Sequence, residues 1–163
     1  MKNTMLATYR YGSPRSRNEL LRIGVARQVP RGVRREDWQR LGYFDVWMPL
    51  LAPSSELRKE YQGGKLSFDE FSCRYRKEMA QRESRQLIEL LAAMLPFHPI
   101  SIGCYCEDEA RCHRSLLRQL IEEEAKARGV AFSAACHESE AGGQYVSPVC
   151  YAHFEEEHRA PKE

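Results

Sequence analysis

Residues 98–106 read HPISIGCYC, an apolar run without polar alternation that sits between Pro96 and the acids Glu107, Asp108 and Glu109. A strand with one wet face alternates, whereas a strand covered on both faces does not. The run therefore predicts a central strand. Downstream, Leu116, Leu117, Leu120 and Ile121 recur at helical spacing, Gly129 stands where that helix should end, and VAFSAA at 130–135 predicts a further strand. Strand, long helix and strand imply a right-handed crossover and parallel pairing. The expected architecture is an α/β fold, a three-layer sandwich with a mainly parallel sheet and helices on both faces.

Upstream, TMLATYRY at 4–11 is a strand candidate ended by Gly12-Ser13-Pro14, and YFDVWMPLLA at 43–52 is another closed by Pro53. Ser67 and Glu70 have capping-box spacing, and Phe71, Tyr75 and Met79 follow every four residues, predicting a helix over 67–81 with one buried stripe. SRQLIELLAAMLPF at 84–97 predicts a second helix, with Leu87, Leu90, Leu91, Met94 and Leu95 inward and Pro96 as its stop.

The length of 163 residues, 42% of them hydrophobic, suits one globular domain with a single substantial core. Residues 1–154 are expected to form it, with EEEHRAPKE at 155–163 as a frayed tail. The amino terminus has no signal-like apolar run, and no segment approaches the length of a membrane span, so a cytoplasmic location and no membrane partner are expected. Six cysteines in such a chain should stay reduced, as packing groups, ligands or reactive thiols.

The formal charge of +2 hides an asymmetry: residues 10–40 hold nine arginines, no lysine, and only Glu19, Glu36 and Asp37 against them. Guanidinium groups favour bidentate contacts to phosphate or carboxylate. One expectation is internal pairing with acids at 107–109, 122–124 and 155–157. Another is a nucleic-acid-binding module using Arg15, Arg17, Arg34 and Arg35. The sequence pI of 8.2 is low for an interaction face that makes a whole domain basic.

The stretch 104–114, CYCEDEARCHR, holds the densest chemistry. In open α/β sheets, ligands bind beyond the carboxyl ends of strands, near helix amino termini. Alternation along a strand places Cys104 and Cys106 on one side and Tyr105 on the other. A closed zinc site would use Cys104, Cys106, Cys112 and His113, but adjacent Cys112 and His113 point about 100° apart on a helix. Cysteines packed in the core are the plainer reading, without cofactor or metal. A Cys106 nucleophile needs a positive environment, and Glu107, Asp108 and Glu109 have the wrong sign. Those acids are expected in the first turn of the helix. Cys136, His137, Cys150 and His153 offer a second, poorly patterned metal set.

Several elements together resemble the family known as domain of unknown function 488. They are Arg27 with Pro30, Arg31 and Gly32; Ala52, Pro53 and Ser54 followed by Glu56, Leu57 and Arg58; FDEFSCRYRKEM; CYC; and the triplet Cys112, His113 and Arg114. Gln28 and Val29 stand where that family carries an aromatic. The resemblance spans about residues 4–130 and implies an α/β fold with the triplet at the site. The ligand-binding set expected is thus Arg27, Arg31, Cys112, His113 and Arg114, converging on one accessible pocket for a phosphate-bearing or nucleotide-like anion. His113 is the candidate general base, with catalysis and pure binding both open. A zinc-stabilised interaction protein is the third class weighed.

Overall fold

The structure, a computed structural model, describes residues 6–17 and 19–130. Four strands, β1 (Leu6–Arg10), β2 (Leu21–Gly24), β3 (Val46–Trp47) and β4 (Ile100–Cys104), form one sheet in the order β1-β4-β2-β3. All three pairings are parallel. The four helices are α1 (Ser55–Gln62), α2 (Phe68–Met79), α3 (Arg82–Met94) and α4 (His113–Ala127). This is an α/β sandwich. No helix among the described residues is long and apolar enough to cross a membrane.

Every residue of β4 is buried, as its lack of alternation predicts, because β1 and β2 flank it and both faces are covered. The strand expected at 130–135 lies outside the described residues, so the parallel sheet is built here by β1, β2 and β3 around β4. On one face, Leu6, Ile23, Ile100 and Ile102 join the apolar stripes of all four helices in a single cluster. The Ser67–Glu70 capping box of α2 is formed, and Phe71, Tyr75 and Met79 are its buried stripe. Leu116, Leu117 and Ile121 of α4 are buried, and Gly129 ends that helix with φ +71°.

Two local expectations are corrected. In α3 the buried positions are Ser84, Ile88, Leu91 and Ala92, whereas Leu90 is 51% exposed, since the stripe runs at 84, 88, 91 and 92 rather than through 90. The strand expected over 43–52 contracts to Val46–Trp47 at the sheet edge, because Pro49–Leu51 turn into a 3-10 helix.

The second face is covered by the segment around the 3-10 turn Arg35–Asp37, with Phe44 buried and Trp38 packed on it at 5.0 Å between centroids. Gly24 and Gly103 are register partners in β2 and β4, and Tyr9 of β1 pairs with Gly103. A Cβ on Gly103 would collide with the Tyr9 ring, and one on Gly24 with Phe44 and Tyr11. Glycine makes the trough that these rings fill. Gly103→Ala is accordingly expected to cost about 1–3 kcal/mol by overpacking. A urea midpoint equal to that of the parent would show that Tyr9 yields freely.

Among the described residues, four of the nine arginines of the 10–40 segment pair with a carboxylate. Arg10 meets Glu107 at 2.8 Å, as expected, but Arg15 pairs with Asp45, Arg22 with Glu19 and Arg40 with Asp37. Glu122, Glu123 and Glu124 pair instead with Arg118, Arg76 and Arg128, which are nearer on the helical layer. The acids at 155–157 and the set Cys136, His137, Cys150 and His153 lie outside the described residues.

Candidate functional site: a thiol cluster beside an arginine pocket

β4 ends at Cys104 and α4 begins at His113, so residues 105–112 form the loop beyond the carboxyl end of the central strand. Cys112 is the N-cap of α4, in extended conformation, and its Sγ accepts from the Arg114 backbone N–H at 3.5 Å. The acids expected in the first turn are absent from it. They are used before the helix begins: Glu107 by Arg10, Asp108 by the Ala110 N–H at 3.0 Å, and Glu109 by the Thr8 hydroxyl. The helix amino terminus therefore carries sulfur rather than carboxylate.

The loop returns Cys112 to the strand end, so that the Sγ atoms of Cys104, Cys106 and Cys112 all lie within 4.8 Å of one another. Cys104 and Cys112 are buried, with their sulfurs 3.1 Å apart, and Cys106 is exposed. Cys106 is thus no core residue of the strand. Cys104 Sγ also accepts from the Cys106 N–H at 3.4 Å and from Arg114 Nη1 at 3.3 Å. Arg114 is 3% exposed, and its Nη1 further donates to the Cys106 carbonyl at 2.7 Å. No carboxylate among the described residues lies within 4.0 Å of it.

These contacts favour ionisation at Cys104 over the other two thiols. Hydrogen bonds from Cys106 and then Cys112 hold the Cys104 thiol far below the ordinary thiol range, while bonding to Cys104 pushes the other two thiols up. Burial works against the Arg114 charge, but Cys104 and Cys112 more than offset it. His113 is buried, and burial keeps its ring neutral. Its Nε2 lies 2.8 Å from the Val25 carbonyl, which makes Nε2 the protonated nitrogen, and Nδ1 faces Cys112 Sγ at 3.7 Å. The ring faces the core, edge-on to Tyr75.

On the other side of the β4 loop is an open pocket of about 320 Å³, lined by Ala26, Arg27, Gln28, Val29, Arg31, Arg58 and Tyr105. Tyr105 is 44% exposed and held edge-on to Tyr11 at 4.7 Å. The expected convergence is only partial. Arg27 and Arg31 line the pocket; Cys112, His113 and Arg114 do not, because the first turn of α4 is directed into the protein. Arg58 joins the pocket from α1, although sequence reasoning gave it no role. Its Nε is buried without a hydrogen-bond partner among the described residues.

The pocket and the thiol cluster are thus assembled from the Pro-Arg-Gly turn, the start of α1, the CYC segment and the late triplet. A match to the family described as "DUF488-N3a: Active DUF488-N3 subclade" covers residues 6–125 and contains all four. The chain belongs to this DUF488-N3a family. The chain is similar to "Uncharacterized protein Rv3073c" of Mycobacterium tuberculosis, 33% identical over 100 residues, which are 61% of this chain and 79% of that protein. It is also similar to "Uncharacterized protein YeaO" of Escherichia coli, 34% identical over 70 residues, covering 43% of this chain and 57% of that protein. No solved structure matches the chain. The DUF488-N3a match stops at residue 125, ahead of the cysteines and histidines of the carboxyl-terminal region.

Proposed function

We propose that this DUF488-N3a protein binds a small phosphate-bearing, nucleotide-like anion in the pocket between the Pro30-Arg31-Gly32 turn, α1 and Tyr105. One observation carries the reading. Arg27, Arg31 and Arg58 line a single pocket, and among the described residues none has a carboxylate within 4.0 Å, whereas Arg10, Arg15, Arg22 and Arg40 all do. Three guanidinium groups held together without counter-charge repel one another, and a bound anion relieves that repulsion. Arg27 is steadied by the Pro53 carbonyl, which accepts from its Nε at 3.3 Å and Nη2 at 3.2 Å. Gly32, at φ +71°, lets the turn fold back behind Arg31. The volume is at the lower end of the range for small-molecule sites, and the Tyr105 ring offers a flat face to a base.

Calorimetric titration with inorganic phosphate and with a nucleoside 5′-monophosphate tests the proposal. The monophosphate is expected to bind more tightly than phosphate alone, and Arg31→Ala and Arg58→Ala are each expected to weaken it about tenfold to a hundredfold. Arg31 is exposed, so Arg31→Ala should leave thermal unfolding nearly unchanged. Equal affinity in the parent and both variants would remove the pocket from consideration. A duplex oligonucleotide, titrated alongside over a range of salt, reports on the exposed Arg34 and Arg35 instead.

A further inference from the structure

We propose that Cys104, Cys106 and Cys112 form a binding site for one soft divalent metal ion, with zinc as its representative, held by three thiolates and open on the Cys106 side. The three sulfurs come from the end of β4, the residue two positions on, and the N-cap of α4, so two of the three sit at the ends of regular elements. All three lie within 4.8 Å of one another. A tetrahedral zinc with bonds of about 2.3 Å needs sulfurs about 3.8 Å apart, so the Cys104–Cys112 edge must open by less than about 1 Å. Side-chain rotation at the exposed Cys106 does not disturb the other two.

Two further observations point to a metal. First, the buried sulfurs are arranged as acceptors: Cys104 Sγ receives the Cys106 N–H and Arg114 Nη1, and Cys112 Sγ receives the Arg114 N–H. Outer donors of this kind orient metal-bound thiolates and stabilise their charge. Second, three thiolates around a divalent ion carry one net negative charge, and the cation beside them is Arg114, buried and without a carboxylate within 4.0 Å among the described residues. The assembly is neutral as a whole, which a buried assembly requires. His113 is not counted as a fourth ligand: its Nδ1 lies 3.7 Å from Cys112 Sγ, but it is not among the ligand atoms that all lie within 4.8 Å of one another. The fourth position faces solvent past the exposed Cys106, the arrangement that leaves room for water or an exchangeable ligand.

The test uses the full chain, freshly reduced, stripped with a chelator and titrated with Zn²⁺ and separately with Cd²⁺. One Cd²⁺ per chain is expected, with a thiolate-to-metal charge-transfer band in the near ultraviolet. Cys106→Ser removes an exposed side chain and should keep the parent circular dichroism. It should lower metal affinity about tenfold or more and the band by about one third, one thiolate of three. The absence of stoichiometric binding to reduced protein would overturn the proposal. So would binding with no charge-transfer band, or with a band and affinity unchanged in folded Cys106→Ser. A stable Cys104–Cys112 disulfide that persists under reductant would equally overturn it, because it removes two of the three ligands.

Discussion

Arg22→Ala should destabilise the protein by about 3–5 kcal/mol, the penalty for breaking a buried ion pair from one side. Arg22 is fully buried within β2. Its Nε donates to the Glu19 carboxylate at 2.6 Å, Nη1 to the carbonyls of Ser13 at 2.8 Å and Gly42 at 3.1 Å, and Nη2 to the Pro14 carbonyl at 2.8 Å. The guanidinium also lies 4.2 Å from the centre of the Tyr9 ring. Removing it strands three carbonyls and one carboxylate while emptying the space beside Tyr9. Arg22→Lys should rescue little, because an ammonium cannot serve a fork of four acceptors. Chemical denaturation measures the loss, and a change below about 1 kcal/mol would mean that water replaces the guanidinium at small cost.

Arg114→Ala is the second large effect, about 3 kcal/mol, since it deletes the buried bonds to the Cys106 carbonyl and Cys104 sulfur and leaves both acceptors unsatisfied. The same variant should lower nucleotide affinity less than tenfold, because Arg114 does not line the arginine pocket. Arg31→Ala should show the reverse pattern. The pair of variants, compared by denaturation and calorimetry, separates the arginines that hold the loop from those that face a ligand. A stable Arg114→Ala that no longer binds nucleotide would merge the two sites into one.

The central strand was legible because burial on both faces erases alternation, and β4 is buried at every position. α2 was legible because a capping box and a four-residue stripe agree. β2 was not. Its sequence, Leu21-Arg22-Ile23-Gly24, hides a fully buried arginine in a charged stretch, and the partners that make this burial possible come from turns at 13–14 and 42. Charge counting assigns such a segment to the surface. In the loop between β4 and α4, the direction of the side chains was not legible. Whether His113 faces a ligand or the core depends on where the helix begins, and a cysteine N-cap at 112 rather than an acidic first turn at 107–109 settles it. The approach of Cys112 to Cys104 and Cys106 is a property of the closed loop, invisible to spacing rules built on paired knuckles. Arg58 was in view within a matching family element; its signal, a buried Nε without a partner among the described residues, appears only in the folded arrangement.

The most direct measurement of the central claim is a crystal structure of the protein grown with a saturating nucleoside 5′-monophosphate. The account predicts the phosphate within hydrogen-bond reach of Arg27, Arg31 and Arg58 and the base against the Tyr105 ring. A nucleotide bound elsewhere on the surface, with those three arginines left turned to solvent, would contradict it.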